Sequence, residues 1–105
     1  MSSLLASTNN LSLHSENDAL DAISSGLSGC IFTTEDLHPE FFDLQNGIAG
    51  AIFQKFVNYN FRAAFIVAED HALGDRVTEL IRDHRNHPCV RFFSTVESAE
   101  AWLSP

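Results

Sequence analysis

The sequence is poor in cysteine, with two in 105 residues, and poor in positive charge, with six Lys and Arg against fourteen Asp and Glu. Two lone cysteines do not build the disulfide framework of a small secreted scaffold. Cys30 and Cys89 lie in apolar stretches (GCIF and PCVRFF), where free cysteine packs as a small hydrophobe, and both read as buried thiols. The formal charge of −8 repels phosphate backbones and anionic headgroups, so neither nucleic acid nor a membrane surface is an expected partner. Long hydrophobic runs are missing, which leaves no candidate membrane-spanning helix. The opening MSSLLASTNN has neither a basic start nor an apolar stretch of signal-peptide length, and a cytoplasmic address is the expectation.

Apolar residues make up 45% of the chain, enough for one core in a single domain over 1–105. Two short segments around Asn9-Asn10 suggest a hairpin, with one short, frayed first strand as the alternative. Helical spacing follows over 15–27, with Ser15 and Asp18 placed as a capping box. Cys30–Phe32 reads as a buried strand. The connection 35–44 contains Pro39 and the pair Phe41-Phe42; adjacent residues point to different sides, so at least one should plug the core or a pocket.

Residues 46–60 carry the widest apolar stripe, from Ile48 through Ile52, Phe53 and Phe56 to Tyr59. Gly47 and Gly50 near its start are poor helix formers, expected to serve close approach to a neighbouring strand. Ala63–Ala68 is apolar on both faces, the mark of a central strand covered on both sides. A helix over 71–86, a strand over 89–93 and a last helix capped by Ser94 and Glu97 complete the order. The fold class is α/β: a single-domain sheet, parallel or mixed, with alternating helices in the order β(β)αβαβαβα.

Candidate chemistry is sparse. Neither a Walker loop nor a dinucleotide fingerprint is present, and no G-x-S-x-G elbow supports a serine nucleophile. His38, Glu40, Asp43 and His71 lack a ligand spacing that fixes metal geometry; His84 and His87 suit a helix C-terminus without any ligand. No cofactor or metal is expected. The pairs Glu35-Asp36 and Glu69-Asp70 follow strands, where α/β sites sit, and are the best acid/base candidates. Arg82 and Arg85 share a helix face that suits either an anion or surface pairing. The turn Asp43–Gly47 opens a helix, so it holds a small anion or is capped by Asp43 or Asn46. Nine Phe in so short a chain crowd one core, and any left exposed would mark an interface.

The run Phe41-Phe42-Asp43-Leu44-Gln45-Asn46-Gly47-Ile48-Ala49-Gly50, continuing through Gln54-Lys55-Phe56 to Tyr59, resembles a bacterial family catalogued as domain of unknown function 4180. Its F-F-D-L-x-x-G-x-A-G-x-x-x-Q-K-F-x-x-Y pattern is kept throughout, and weaker agreement covers nearly the whole chain. Two stretches depart from it: Ala51, often acidic in the family, and 83–88. The layout is similar to STAS-type anti-sigma-factor antagonists, where phosphorylation of a serine before the second helix switches partner binding. The comparable turn here, Asp43–Gly47, has no hydroxyl, so that switch has no acceptor.

The resemblance implies a fold and a binding surface. The expected function is a non-catalytic binding or regulatory module, partnered by another protein, a second copy of itself or a small molecule. Its expected site comprises Phe41, Phe42, Asp43, Asn46 and Gly47, with Gln54, Lys55 and Tyr59 beside them. The rival is a small enzyme using carboxylates such as Asp43 or Asp70 at strand ends.

Overall fold

The computed structural model describes residues 4–6, 9–37, 41, 47–67, 75–84 and 86–103, with the side chains of 75–77 outside that description. Chain order is α1 (Glu16–Ile23), β1 (Gly29–Thr33), a 3-10 turn (Thr34–Asp36), α2 (Ile48–Asn58), β2 (Arg62–Ile66), α3 (Asp75–Asp83), β3 (Val90–Phe93) and α4 (Val96–Leu103). The strands form one sheet in the order β1-β2-β3, and both pairings are parallel. Gly29 faces Arg62 and Thr33 faces Ile66 in the first pairing; Ala63 faces Val90 in the second.

β2 is the central strand, and its continuous hydrophobicity has the expected cause. Ala63 and Phe65 point into a core with Cys30, Phe32, Val90, Ala19, Ala22 and the α2 residues Ile52, Phe53 and Phe56. Ala64 points the other way, into a smaller cluster with Ile31, Ala99 and Leu103. Strand order does not reverse, so right-handed crossovers carry α2 and α3 over the same face. α4 follows the last strand, is not a crossover, and folds back over the opposite face.

Several local expectations are corrected. The N-terminal segment is not a hairpin. Leu5 bridges Ile31 and Leu13 bridges Leu37, both in parallel, so the chain runs beside β1 in one direction. A turn at Asn9-Asn10, with Asn10 left-handed at φ 57°, interrupts it without reversing it. Ser15 makes no side-chain cap on α1; the Asp18 carboxylate instead accepts the His14 backbone N–H at 2.8 Å. The helix ends at Ile23 rather than at 27. At α4 the cap is Thr95, whose Oγ1 accepts the Ser98 N–H at 3.2 Å, in place of Ser94.

The glycine expectation also moves. A Cβ at Gly47 or Gly50 would meet nothing within 4 Å, so neither serves close packing. That role belongs to Gly29, where a Cβ would lie 2.6 Å from Leu103 Cδ2 and 2.9 Å from the Arg62 carbonyl oxygen. Gly47 is needed for its backbone instead: it precedes α2 at φ 77°, a left-handed conformation that costs glycine little.

Phenylalanine fills the space between sheet and helices. Phe65 stacks with Phe32 and Phe92 at 5.5 and 5.4 Å between ring centres, and Phe41 meets both Phe53 and Phe65. The exposed large apolar residues among those described are Val57 and Tyr59, at 42% and 58%, and neither is Phe.

Candidate functional site

In a parallel sheet, helices that follow strands begin at the strands' C-terminal edge, where α/β proteins place their ligands. Two helices begin there together. The segment beside β1 ends at Leu13, so His14, Ser15 and Glu16 start α1 at that edge. The connection after β1 delivers Gly47, Ile48 and Ala51 at the start of α2. These six residues line one cleft of about 270 Å³. Its walls combine an imidazole, a hydroxyl and a carboxylate with the small residues Gly47 and Ala51.

The expected site residues are split by this geometry. Gly47 is exposed and lines the cleft. Phe41 is fully buried against Phe53 and Phe65, so it supports the α2 start from inside and offers no surface. Phe42, Asp43 and Asn46 lie outside the described residues. Gln54 is exposed and donates to Asn58 Oδ1 at 2.8 Å, an i, i+4 pair on the α2 surface. Lys55 reaches back to α1 and pairs with Glu16 at 3.7 Å, an open ion pair worth under about 1 kcal/mol. Tyr59 stands exposed past the far end of α2, about 18 Å of helix from Gly47. Gln54 and Tyr59 therefore belong to a different surface from the cleft, while Lys55 touches its rim through Glu16.

Sequence reasoning missed His14, Ser15 and Glu16. Ser15 was legible only as a helix start. The missing step was topological: a segment parallel to β1 must begin its helix at the same edge as α2.

The acid/base candidates resolve in part. Asp36 is buried and committed, its Oδ2 accepting the Thr33 N–H at 2.8 Å and the Thr33 hydroxyl at 3.1 Å. It caps the 3-10 turn in a reciprocal capping box. Glu35 beside it is exposed and faces solvent. Asp43, Glu69, Asp70, His38, Glu40 and His71 lie outside the described residues, as does Arg85 of the Arg82–Arg85 pair. Cys30 and Cys89 are buried free thiols, and burial pushes the Cys30 thiol up to about 12, which keeps it protonated and inert.

His84 and His87 sit at the other edge of the sheet, where α3 ends. Their rings are 5.1 Å apart, and each Nδ1 is occupied by backbone: His84 at the Leu80 carbonyl, His87 at the N–H groups of Cys89 and Val90. Burial, with His84 and Arg91 nearby, holds the His87 imidazole below its usual range. Among the described residues, no three His, Cys, Asp or Glu side chains gather as a metal site requires. Among the same residues, no helix is long and apolar enough to cross a membrane.

The family model described as a domain of unknown function (DUF4180) matches residues 2–103. No curated protein and no solved structure matches the chain.

Proposed function

The chain belongs to the DUF4180 family, a domain of unknown function, and we propose that it is a non-catalytic binding module whose small polar ligand seats between the starts of α1 and α2. The cleft carries this reading: two helices from separate parts of the chain build one concavity at the sheet edge that α/β folds use for ligands. A volume of about 270 Å³ suits a small molecule rather than a chain. Gly47 and Ala51 leave backbone accessible on one wall, and Ser15 and Glu16 supply hydrogen-bonding partners on the other. The enzyme alternative loses its Glu35-Asp36 pair, because Asp36 spends its oxygen on Thr33.

This reading keeps the chain close in kind to STAS-type modules, which bind without catalysis at the turn before a helix, and it includes a cytoplasmic address. Regulation here works without a phosphoserine at that turn, since Asp43–Gly47 has no hydroxyl. Exposure of Val57 and Tyr59 favours a second reading, in which a protein partner or second copy docks at the far end of α2. Amide spectra of the labelled protein, titrated with a library of small polar metabolites, separate the two. Shifts gathered at His14, Ser15, Gly47, Ile48 and Ala51 are the expected outcome. No response there, with concentration-dependent shifts at Val57 and Tyr59, would replace the ligand cleft by the docking surface.

A further inference from the structure

The N-terminal edge of the sheet carries two cations on one aromatic ring. Arg62 opens β2 and Arg91 sits in β3 opposite Ala64, so both side chains stand on the face that α4 covers. α4 ends above them. The guanidinium carbons of Arg91 and Arg62 lie 4.9 and 5.9 Å from the centre of the Trp102 ring. Each guanidinium is held by one backbone carbonyl: Arg62 Nη1 donates to Trp102 O at 3.2 Å, and Arg91 Nε donates to His87 O at 2.7 Å. A guanidinium carries five N–H donors in a planar fork, so each keeps most of its capacity. All three side chains are half-buried.

The chain has fourteen acidic residues and only six Lys and Arg, yet the described residues place no carboxylate in ion-pair contact with Arg62 or Arg91. One cation explains the local structure, since a positive group at a helix C-terminus is favoured and Arg62 already reaches the last turn of α4. Arg91 stacks on the same ring with no carboxylate opposite it among the described residues, so an anion that meets both guanidinium groups gains charge-assisted hydrogen bonds from each. A phosphate dianion gains from both charges and has enough oxygens for two forks; a monocarboxylate engages one. The net charge of −8 disfavours long polyanions, so the ligand is small.

We propose that Arg62, Arg91 and Trp102 form a binding corner for a phosphate-type oxyanion, either the free ion or the monoester of a small molecule. It is separate from the α1/α2 cleft and stands or falls independently of it.

Trp102 is the sole tryptophan, so its emission reports on the corner directly. The wild-type chain is titrated at constant ionic strength with inorganic phosphate, with glycerol phosphate and with chloride. A saturable change with either phosphate, absent with chloride, is expected; stronger binding of glycerol phosphate identifies a monoester ligand, and equal or stronger binding of inorganic phosphate identifies the free ion. Affinity should fall at least tenfold in Arg91→Lys and Arg62→Gln, whereas an equal fall in His14→Ala would place the phosphate in the α1/α2 cleft and overturn the proposal. Should either arginine variant fail to fold, wild-type spectra decide: the Nε signals of Arg62 and Arg91 and the Trp102 indole signal must move with phosphate. No saturable response, a response that chloride reproduces, or equal affinity in folded arginine variants overturns the proposal.

Discussion

The Nδ1 atom of His87 accepts the backbone N–H of Val90 at 3.0 Å, and takes that of Cys89 at the same distance. The imidazole thereby stands in for a carbonyl at the entry to β3. It performs this role only while Nδ1 carries a lone pair, and a proton there would turn acceptor into donor.

Stability should consequently depend on pH through this side chain. Burial first, then the neighbouring His84 and Arg91, lower the His87 pKa in the folded chain below the usual 6.5. The unfolded chain therefore takes up the proton first as pH falls. The contribution is complete above about 6.5 and is lost progressively from there down to the folded value. Denaturation midpoints should be lower at pH 5.5 than at pH 7.5. The difference should shrink in His87→Asn, whose side-chain oxygen accepts the same bonds without titrating. An unchanged difference would remove His87 as its source.

Gly29 sets how closely α4 approaches the sheet. With Leu103 Cδ2 2.6 Å and the Arg62 carbonyl 2.9 Å from where a Cβ would stand, no side chain fits unless the Leu103 side chain turns away and the β2 backbone shifts at Arg62. Gly29→Ala should cost about 1–3 kcal/mol, the range for overpacking a tight core, read from urea midpoints. Gly26→Ala meets open space instead, but its φ of 89° makes any loss there conformational rather than steric.

The parts legible in the sequence are those where local pattern and tertiary need agree. The apolar run from Ala63 announced a covered strand because both faces of β2 are buried, and 46–60 announced the helix found at Ile48–Asn58 because Ile52, Phe53 and Phe56 share one buried side. The cleft was only half legible. Gly47 drew notice as a glycine at a helix start, whereas His14 and Glu16 belong to the cleft through a parallel pairing that no local pattern records. The Arg62–Arg91–Trp102 corner was illegible for the same reason, since it needs strand register and the direction of α4. Glycine roles were interchanged because sequence shows that a Cβ is missing, not what stands beside it.

Phe41 tests whether the motif run contributes core or surface. Fully buried and in contact with Phe53 and Phe65, it should behave as core. Phe41→Ala should lose about 3–5 kcal/mol, the usual cost of emptying a phenylalanine site. Sedimentation should show no change in self-association while the fold persists. Weakened association at unchanged stability would contradict the burial.

Gly50 separates stability from binding at the cleft. It sits exposed inside α2, and a Cβ there would meet nothing within 4 Å. An alanine at such a helical position should stabilise the chain by about 0.5–1 kcal/mol, because the glycine gives up more backbone freedom on folding. The folded chain has no packing need for Gly50, so any need must come from what approaches the first turn of α2. The substitution should therefore raise the melting temperature and, if the ligand extends from the cleft along that turn, weaken its binding by adding a methyl group to the path. Thermal melts and the metabolite titration, run on the same Gly50→Ala sample, read the two effects apart. Higher stability with undiminished binding would confine the ligand to the His14, Ser15 and Gly47 side of the cleft, whereas lower stability would show that α2 packs differently at its start.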